Sequence, residues 1–116
     1  MQILTEHVDD TLVFRFEGKP KDTEWDDAIK SIIDHYEKGR KSIIVNWLNV
    51  DFIDSNSLQV LVRLVKIQKD DPDFEFFLVT DDPSHQKTLQ IFGFDKLLTV
   101  VSSENEALAK RKTIQK

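Results

Sequence analysis

The sequence has no cysteine, which excludes disulfides, thiolate metal sites and cysteine nucleophiles. Its glycines are only Gly18, Gly39 and Gly93. A phosphate-cradling loop needs glycines gathered at a strand-to-helix turn so that backbone amides can approach the phosphate, and none of these lies in such a motif. No Gly-x-Ser-x-Gly elbow exists: Ser55 has no glycine two residues to either side, and His7, His35 and His85 are scattered and share no motif with it. Long hydrophobic runs are also missing. Nothing approaches the roughly 20 apolar residues of a membrane span, and the start, Met1-Gln2-Ile3-Leu4-Thr5-Glu6-His7, has no basic region leading into an apolar one. Positive charge is in deficit, with 16 Lys and Arg against 21 Asp and Glu for a formal charge of -5, which repels phosphate backbones and removes the counterion-release drive for nucleic-acid binding. The expectation is a cytoplasmic chain with no direct membrane insertion, no nucleic-acid partner, no cofactor and no enzymatic activity.

A length of 116 residues with 40% hydrophobic content suits one ordinary domain over 1–116. The segment 11–17, Thr-Leu-Val-Phe-Arg-Phe-Glu, has the β-branched and aromatic content of a strand, and residues 3–8 pair with it as a hairpin across the Asp9-Asp10 turn signal. From Thr23, the apolar residues Trp25, Ile29, Ile32, Ile33 and Tyr36 recur every three or four positions, the stripe of an amphipathic helix ending near Gly39. The run 42–47, centred on Ile43-Ile44-Val45, predicts a strand buried on both faces in mid-sheet. A second helix carries Leu58, Leu61, Val62, Leu64 and Val65 and stops at the Asp70-Asp71-Pro72-Asp73 breaker. A strand over 74–80, a helix opened by Asp82-Pro83-Ser84 and running to Gly93, a strand over 97–102 and a helix from Ser103 complete the chain. The tail from about 110 to 116 is basic and polar and is expected to fray. Helices alternating with strands after a hairpin predict an α/β fold, a mixed sheet of four to five strands packed with about four helices and parallel in its later part.

The acidic pairs Asp26-Asp27, Asp70-Asp71 and Asp81-Asp82 fall at helix ends and turns, where carboxylates cap, so they read as caps ahead of metal ligands. Phe14, Phe16, Phe74, Phe76 and Phe77 read as core. Trp47 ends the buried strand and reads equally as core or as an exposed contact aromatic.

The most informative stretch runs from Ile43 to Val62: a buried strand leaves the sheet at its carboxyl end, turns through 51–54, and feeds a helix that begins Ser55-Asn56-Ser57. In an open α/β sheet this is the edge where ligands and partners engage. The order Phe52-Ile53-Asp54-Ser55-Asn56-Ser57-Leu58 resembles the hydrophobic-Asp-Ser-Ser/Thr-Gly-Leu turn of the STAS family, the domain of sulfate transporters and anti-sigma factor antagonists. The resemblance continues through 12–18, through Leu89-Gln90-Ile91-Phe92-Gly93-Phe94-Asp95-Lys96-Leu97, and through Glu106-Ala107-Leu108.

That resemblance implies a regulatory protein-binding module. It would dock a partner serine kinase of the GHKL type, which is also the anti-sigma factor, through Asp54, Ser55, Asn56 and Ser57 and the following helix, with phosphorylation of Ser55 ending the docking. Read without the family, Ser55 is an N-cap, and Asp54 is either an alternative cap or part of the partner surface. Two departures stand out: Asn56 and Ser57 replace the family's small residue and glycine, and Lys19-Pro20-Lys21 follows Gly18 where many antagonists carry an acidic residue. They keep open an alternative, a constitutive STAS subunit of a scaffold or of a lipid- or anion-transport complex, with no phosphoswitch.

Overall fold

The structure is a computed structural model, and it describes residues 2–8, 11–18, 22–39, 42–50 and 55–110. Five strands, β1 (Gln2–Val8), β2 (Thr11–Gly18), β3 (Ser42–Val50), β4 (Glu75–Val79) and β5 (Thr99–Val101), form one sheet in sequence order. The β1–β2 pair is antiparallel, and every later pair is parallel. The helices are α1 (Asp22–Glu37), α2 (Ser55–Asp70), α3 (Pro83–Ile91) and α4 (Glu104–Lys110), with a single 3-10 turn, Phe94–Lys96, between α3 and β5. A mixed five-stranded sheet with four helices is the α/β architecture that the sequence predicts.

Both faces of β3 are covered, and this is why its centre reads as an unbroken apolar run. On one face Ile43, Val45 and Trp47 join Leu12, Phe14 and Phe16 of β2 and Phe76 and Leu78 of β4. Against them lie Trp25, Ala28 and Ile32 of α1, Val60, Leu61 and Leu64 of α2, Leu89 of α3 and Phe94. The other face holds Val13, Ile44, Phe77, Val79 and Val101 under Ala107 of α4. Phe74 is buried as well, so all five phenylalanines read as core are core. Trp47 is buried completely. It packs edge-on to Trp25, with ring centroids 6.4 Å apart, and this settles its open reading in favour of core.

Several boundaries differ from the expected ones. The strand predicted over 42–47 continues to Val50, because of the bulge described below. The last strand is confined to Thr99–Val101: Gly93, at φ +77°, ends α3 in a left-handed turn, and the amides of Leu97 and Leu98, expected in the strand, instead donate to the Phe94 carbonyl at the close of the 3-10 turn. Of the predicted fraying tail, Lys110 is still helical, and 111–116 lie outside the described residues. No described helix is long and apolar enough to cross a membrane.

Candidate functional site

The site is built where β3 leaves the sheet. Arg15 of β2 pairs with Asn46 of β3, but Glu17 pairs with Asn49, so β3 holds one extra residue in this interval. Such a bulge resets the in-out alternation of a strand. Trp47 points into the α1/α2 side of the core, Leu48 and Asn49 are exposed, and Val50 returns to the core. The backbone amide of Leu48, thrown out of register, donates instead to the Asn46 side-chain oxygen at 2.8 Å. The Asn46 amide nitrogen donates in turn to Glu104 of α4. The exit of β3 is therefore anchored from both faces, by Trp47 and Val50 on one and by Asn46 on the other.

Glu104 is the hub of the second anchor. Arg15 grips its carboxylate with two bonds, Nε to Oε2 at 2.7 Å and Nη2 to Oε1 at 2.8 Å, and uses Nη1 to reach Glu6 of β1 at 2.6 Å. The Arg15 bonds hold the Glu104 carboxyl below the usual carboxylate range; partial burial opposes this, and the Asn46 bond reinforces it. Partnered by two carboxylates, the Arg15 guanidinium is held more firmly in its charged form than usual. Sequence reading did not find this cluster, although it had a signal: an arginine between Phe14 and Phe16, and an asparagine inside an otherwise apolar strand. A buried polar position in such a run requires a partner.

Beyond the exit, residues 51–54 lie outside the described residues, and Asp54 with them. Ser55 is exposed and is the first residue of α2. The residue before it, which the N-cap reading also involves, lies outside the described residues. The first turns of any helix leave backbone amides without intrahelical partners, and this end of the macrodipole favours an anion. The side chain of Asn56 is outside the described residues. Ser57 is fully buried, so its hydroxyl is turned inward and presents no surface to a partner. Of the serines flanking Asn56, only Ser55 faces solvent.

Helix α2 carries Arg63, Lys66 and Lys69 and one acidic residue, Asp70 at its end, all of them exposed. Helix α3 lies beside the exit. Its His85 is buried, with Nδ1 hydrogen-bonded to Thr80 Oγ1 at 2.8 Å and its ring 6.3 Å from that of Trp47. Asp82 caps α3 by accepting from the Ser84 amide at 2.8 Å and the Ser84 hydroxyl at 2.7 Å; the hydroxyl and then the amide lower its pKa. Of the Asp81-Asp82 pair, Asp82 thus caps, as read. Asp71 likewise accepts from the Tyr36 hydroxyl at 2.7 Å and from the Asp73 amide at 2.9 Å, pinning the breaker to α1. Among the described residues no three His, Asp or Glu gather as a metal-binding group.

The family model of the STAS domain matches residues 2–107 of this chain. No curated protein matches. Among solved structures, an anti-sigma factor antagonist from Thermotoga maritima superposes with a TM-score of 0.82 at 22% identity, over 93% of this chain and 92% of that one. SpoIIAA of Bacillus, a cell fate determinant solved in its phosphorylated form, gives 0.74 at 20% identity, over 94% of this chain and 98% of that one. RsbS of Moorella thermoacetica, carrying a serine-to-glutamate substitution, gives 0.81 at 17% identity, over 95% and 94%. At these identities the likeness is one of fold.

Proposed function

The chain belongs to the STAS domain family, and from that premise we propose that it is a regulatory, non-catalytic protein-binding module of the anti-sigma factor antagonist kind, acting in the cytoplasm. Its partner is a serine kinase of the GHKL type that doubles as the anti-sigma factor. The docking surface is the β3–α2 corner, with Asp54, Ser55 and Asn56 at its tip and α2 behind them. Phosphorylation of Ser55 ends the docking.

The observation that carries this reading is the exposed Ser55 hydroxyl at the first residue of α2, presented by a strand exit that is anchored on both faces. A phosphate there adds about -1.5 to -2 charges at neutral pH. A helix N-terminus favours an anion, so the domain keeps its fold and the cost falls on the partner. Ser57 belongs to the same turn but is buried, and it serves the packing of the corner. The test is to incubate the full chain with the candidate kinase and ATP and to map the modified residue by mass spectrometry. Modification at Ser55 supports the reading; a chain left unmodified, or modified only elsewhere, contradicts it.

A second reading, a constitutive subunit without a switch, is favoured by one observation: the family's turn glycine is Ser57 here, and it is packed into the core. In that case the corner holds its partner permanently, and Ser55 is never modified.

A further inference from the structure

At the end of α3 the chain exposes apolar side chains where a soluble surface has little reason to. Ile91, the last residue of α3, is 71% exposed, Phe92, its C-cap, 60%, and Leu97, just past the 3-10 turn that Gly93 opens, 51%. This turn adjoins α2: Gln68 of α2 donates its side-chain amide to the Leu97 carbonyl at 3.2 Å. On the Gln68 flank of α2, Ser55, Leu58, Val62, Val65 and Lys69 fall at helical spacings of three and four, which makes them one stripe. Leu58 and Val65 are half-buried, and Val62 is 51% exposed. The α2 stripe thus runs from Ser55 to Lys69, and the Gln68–Leu97 bond sets the exposed apolar turn after α3 beside its far end. Contiguous exposed apolar surface with a polar rim marks an interaction site.

The rim is mainly basic. Lys66 and Lys69 are exposed on α2, with Asp70 at the helix end, and over 84–97 the exposed charges are Lys87 and Lys96 against Asp95, in a chain whose acidic residues outnumber its basic ones by 21 to 16; Arg63 lies on the other flank of α2, toward α1. Lys87 stands one helical turn before Ile91, and Lys96 directly precedes Leu97. The exposed face of α1 is the reverse: Asp26, Asp27, Asp34 and Glu37 against Lys30, and among its described residues no exposed large apolar side chain. This face of α1 therefore offers a second copy of the chain the charge but not the apolar contact.

We propose that the α2 stripe and the α3 turn form one docking surface for a partner protein whose complementary face is apolar at its centre and acidic at its rim. This rests on the docking reading above and deepens it by fixing the partner's chemistry and extending the footprint to Phe92. It also gives the switch its sign. An acidic partner face is drawn to Lys66 and Lys69 and repelled by a phosphate at Ser55, at the head of the same stripe.

The test places a photoreactive side chain on the surface, Phe92→p-benzoylphenylalanine, in the full chain expressed in its native cells, and sequences the cross-linked peptide by mass spectrometry. The expected product joins Phe92 to one protein, through a segment in which Asp and Glu outnumber Lys and Arg around apolar residues. Adding Lys87→Glu and Lys96→Glu lowers the yield several-fold, as charge reversal at a complementary rim does. With the identified protein purified, Phe92→Ser weakens binding about tenfold, the effect of one interface hot spot, and leaves thermal unfolding unchanged because the side chain is exposed. A cross-link to a second copy of this chain, to a basic or neutral segment, or to no protein overturns the proposal. So does co-sedimentation of the purified chain with phosphatidylglycerol vesicles that Phe92→Ser abolishes. If a partner is lost on Ser55→Glu yet binds the Phe92→Ser chain as well as the parent, this surface fails and the Ser55 reading stands. If Phe92→Ser weakens binding and Ser55→Glu does not, the surface stands and the switch fails.

Discussion

Arg15 and Glu104, at opposite ends of the chain, meet in a two-pronged ion pair that ties α4 to the face of the sheet opposite α1 and α2. Because Asn46 shares the same carboxylate, the pair also fixes the residue from which β3 bulges toward the Ser55 corner. Glu104→Gln is expected to cost about 1 kcal/mol in urea unfolding at neutral pH, the scale of a charge-assisted pair still partly open to water. The carboxyl of Glu104 is held below its ordinary value in the folded chain. Its contribution is therefore complete above the unfolded value of about 4.3 and fades as pH falls through the lower folded value. Parent and Glu104→Gln chains should differ at pH 7 and converge under strong acid; a difference that grows with acidification would contradict the assignment.

Asn46 supplies one donor and one acceptor, and both are used. Asn46→Asp keeps the acceptor for the Leu48 amide but sets a second carboxylate against Glu104. The expected loss is about 1–3 kcal/mol at pH 7, partly recovered on mild acidification as one carboxyl of the new pair takes up a proton. Equal stability of parent and variant across pH would mean that Asn46 does not contact Glu104 in solution.

Leu61 and Val62 are neighbours on α2 with opposite surroundings: Leu61 is fully buried and Val62 is 51% exposed. Leu61→Ala is expected to cost about 2–5 kcal/mol, through lost burial and a residual cavity, and Val62→Ala no more than about 0.5 kcal/mol. Thermal or urea unfolding of the two variants checks which face of α2 meets the sheet.

Gly93 holds φ +77° with nothing near the space a Cβ would occupy. Gly93→Ala is expected to cost about 1 kcal/mol or more, from backbone strain alone, with Gly93→Asn nearer the parent because asparagine tolerates this region. The turn that displays Phe92 would loosen with the alanine variant, and amide hydrogen exchange over 91–98 reads this directly.

The sequence pattern was enough for the element order, the sheet's mixed sense and most of the core. Each of these follows from local periodicity: Ile43-Ile44-Val45 for a strand covered twice, and Trp25, Ile29 and Ile32 for a helix stripe. Features that depend on pairing across long separations were not legible. The bulge at Trp47 and Leu48 exists only relative to β2, and the Arg15–Glu104 pair needs the two faces of the sheet to be known. The exposure of Ile91 and Phe92 was hidden for a related reason. They stand at the very end of α3, just before the left-handed turn at Gly93, and local periodicity does not say which side of such an end meets the core. At the candidate site, the helix that begins at Ser55 was legible from the turn motif. The inward aim of Ser57 was not, because the two serines differ only in which side of the first helical turn they occupy.

The central claim is that Ser55 controls docking, and the most direct measurement is a binding titration of the full chain against its purified kinase partner, comparing parent, Ser55→Glu and Ser57→Ala with thermal unfolding recorded for each. The expected result is a Kd for Ser55→Glu weaker by at least about tenfold, as a like-charge juxtaposition worth more than 1.4 kcal/mol gives, with its melting temperature unchanged and Ser57→Ala binding nearly as the parent does. A Ser55→Glu chain that melts and binds as the parent does would contradict the switch and leave the constitutive reading in its place.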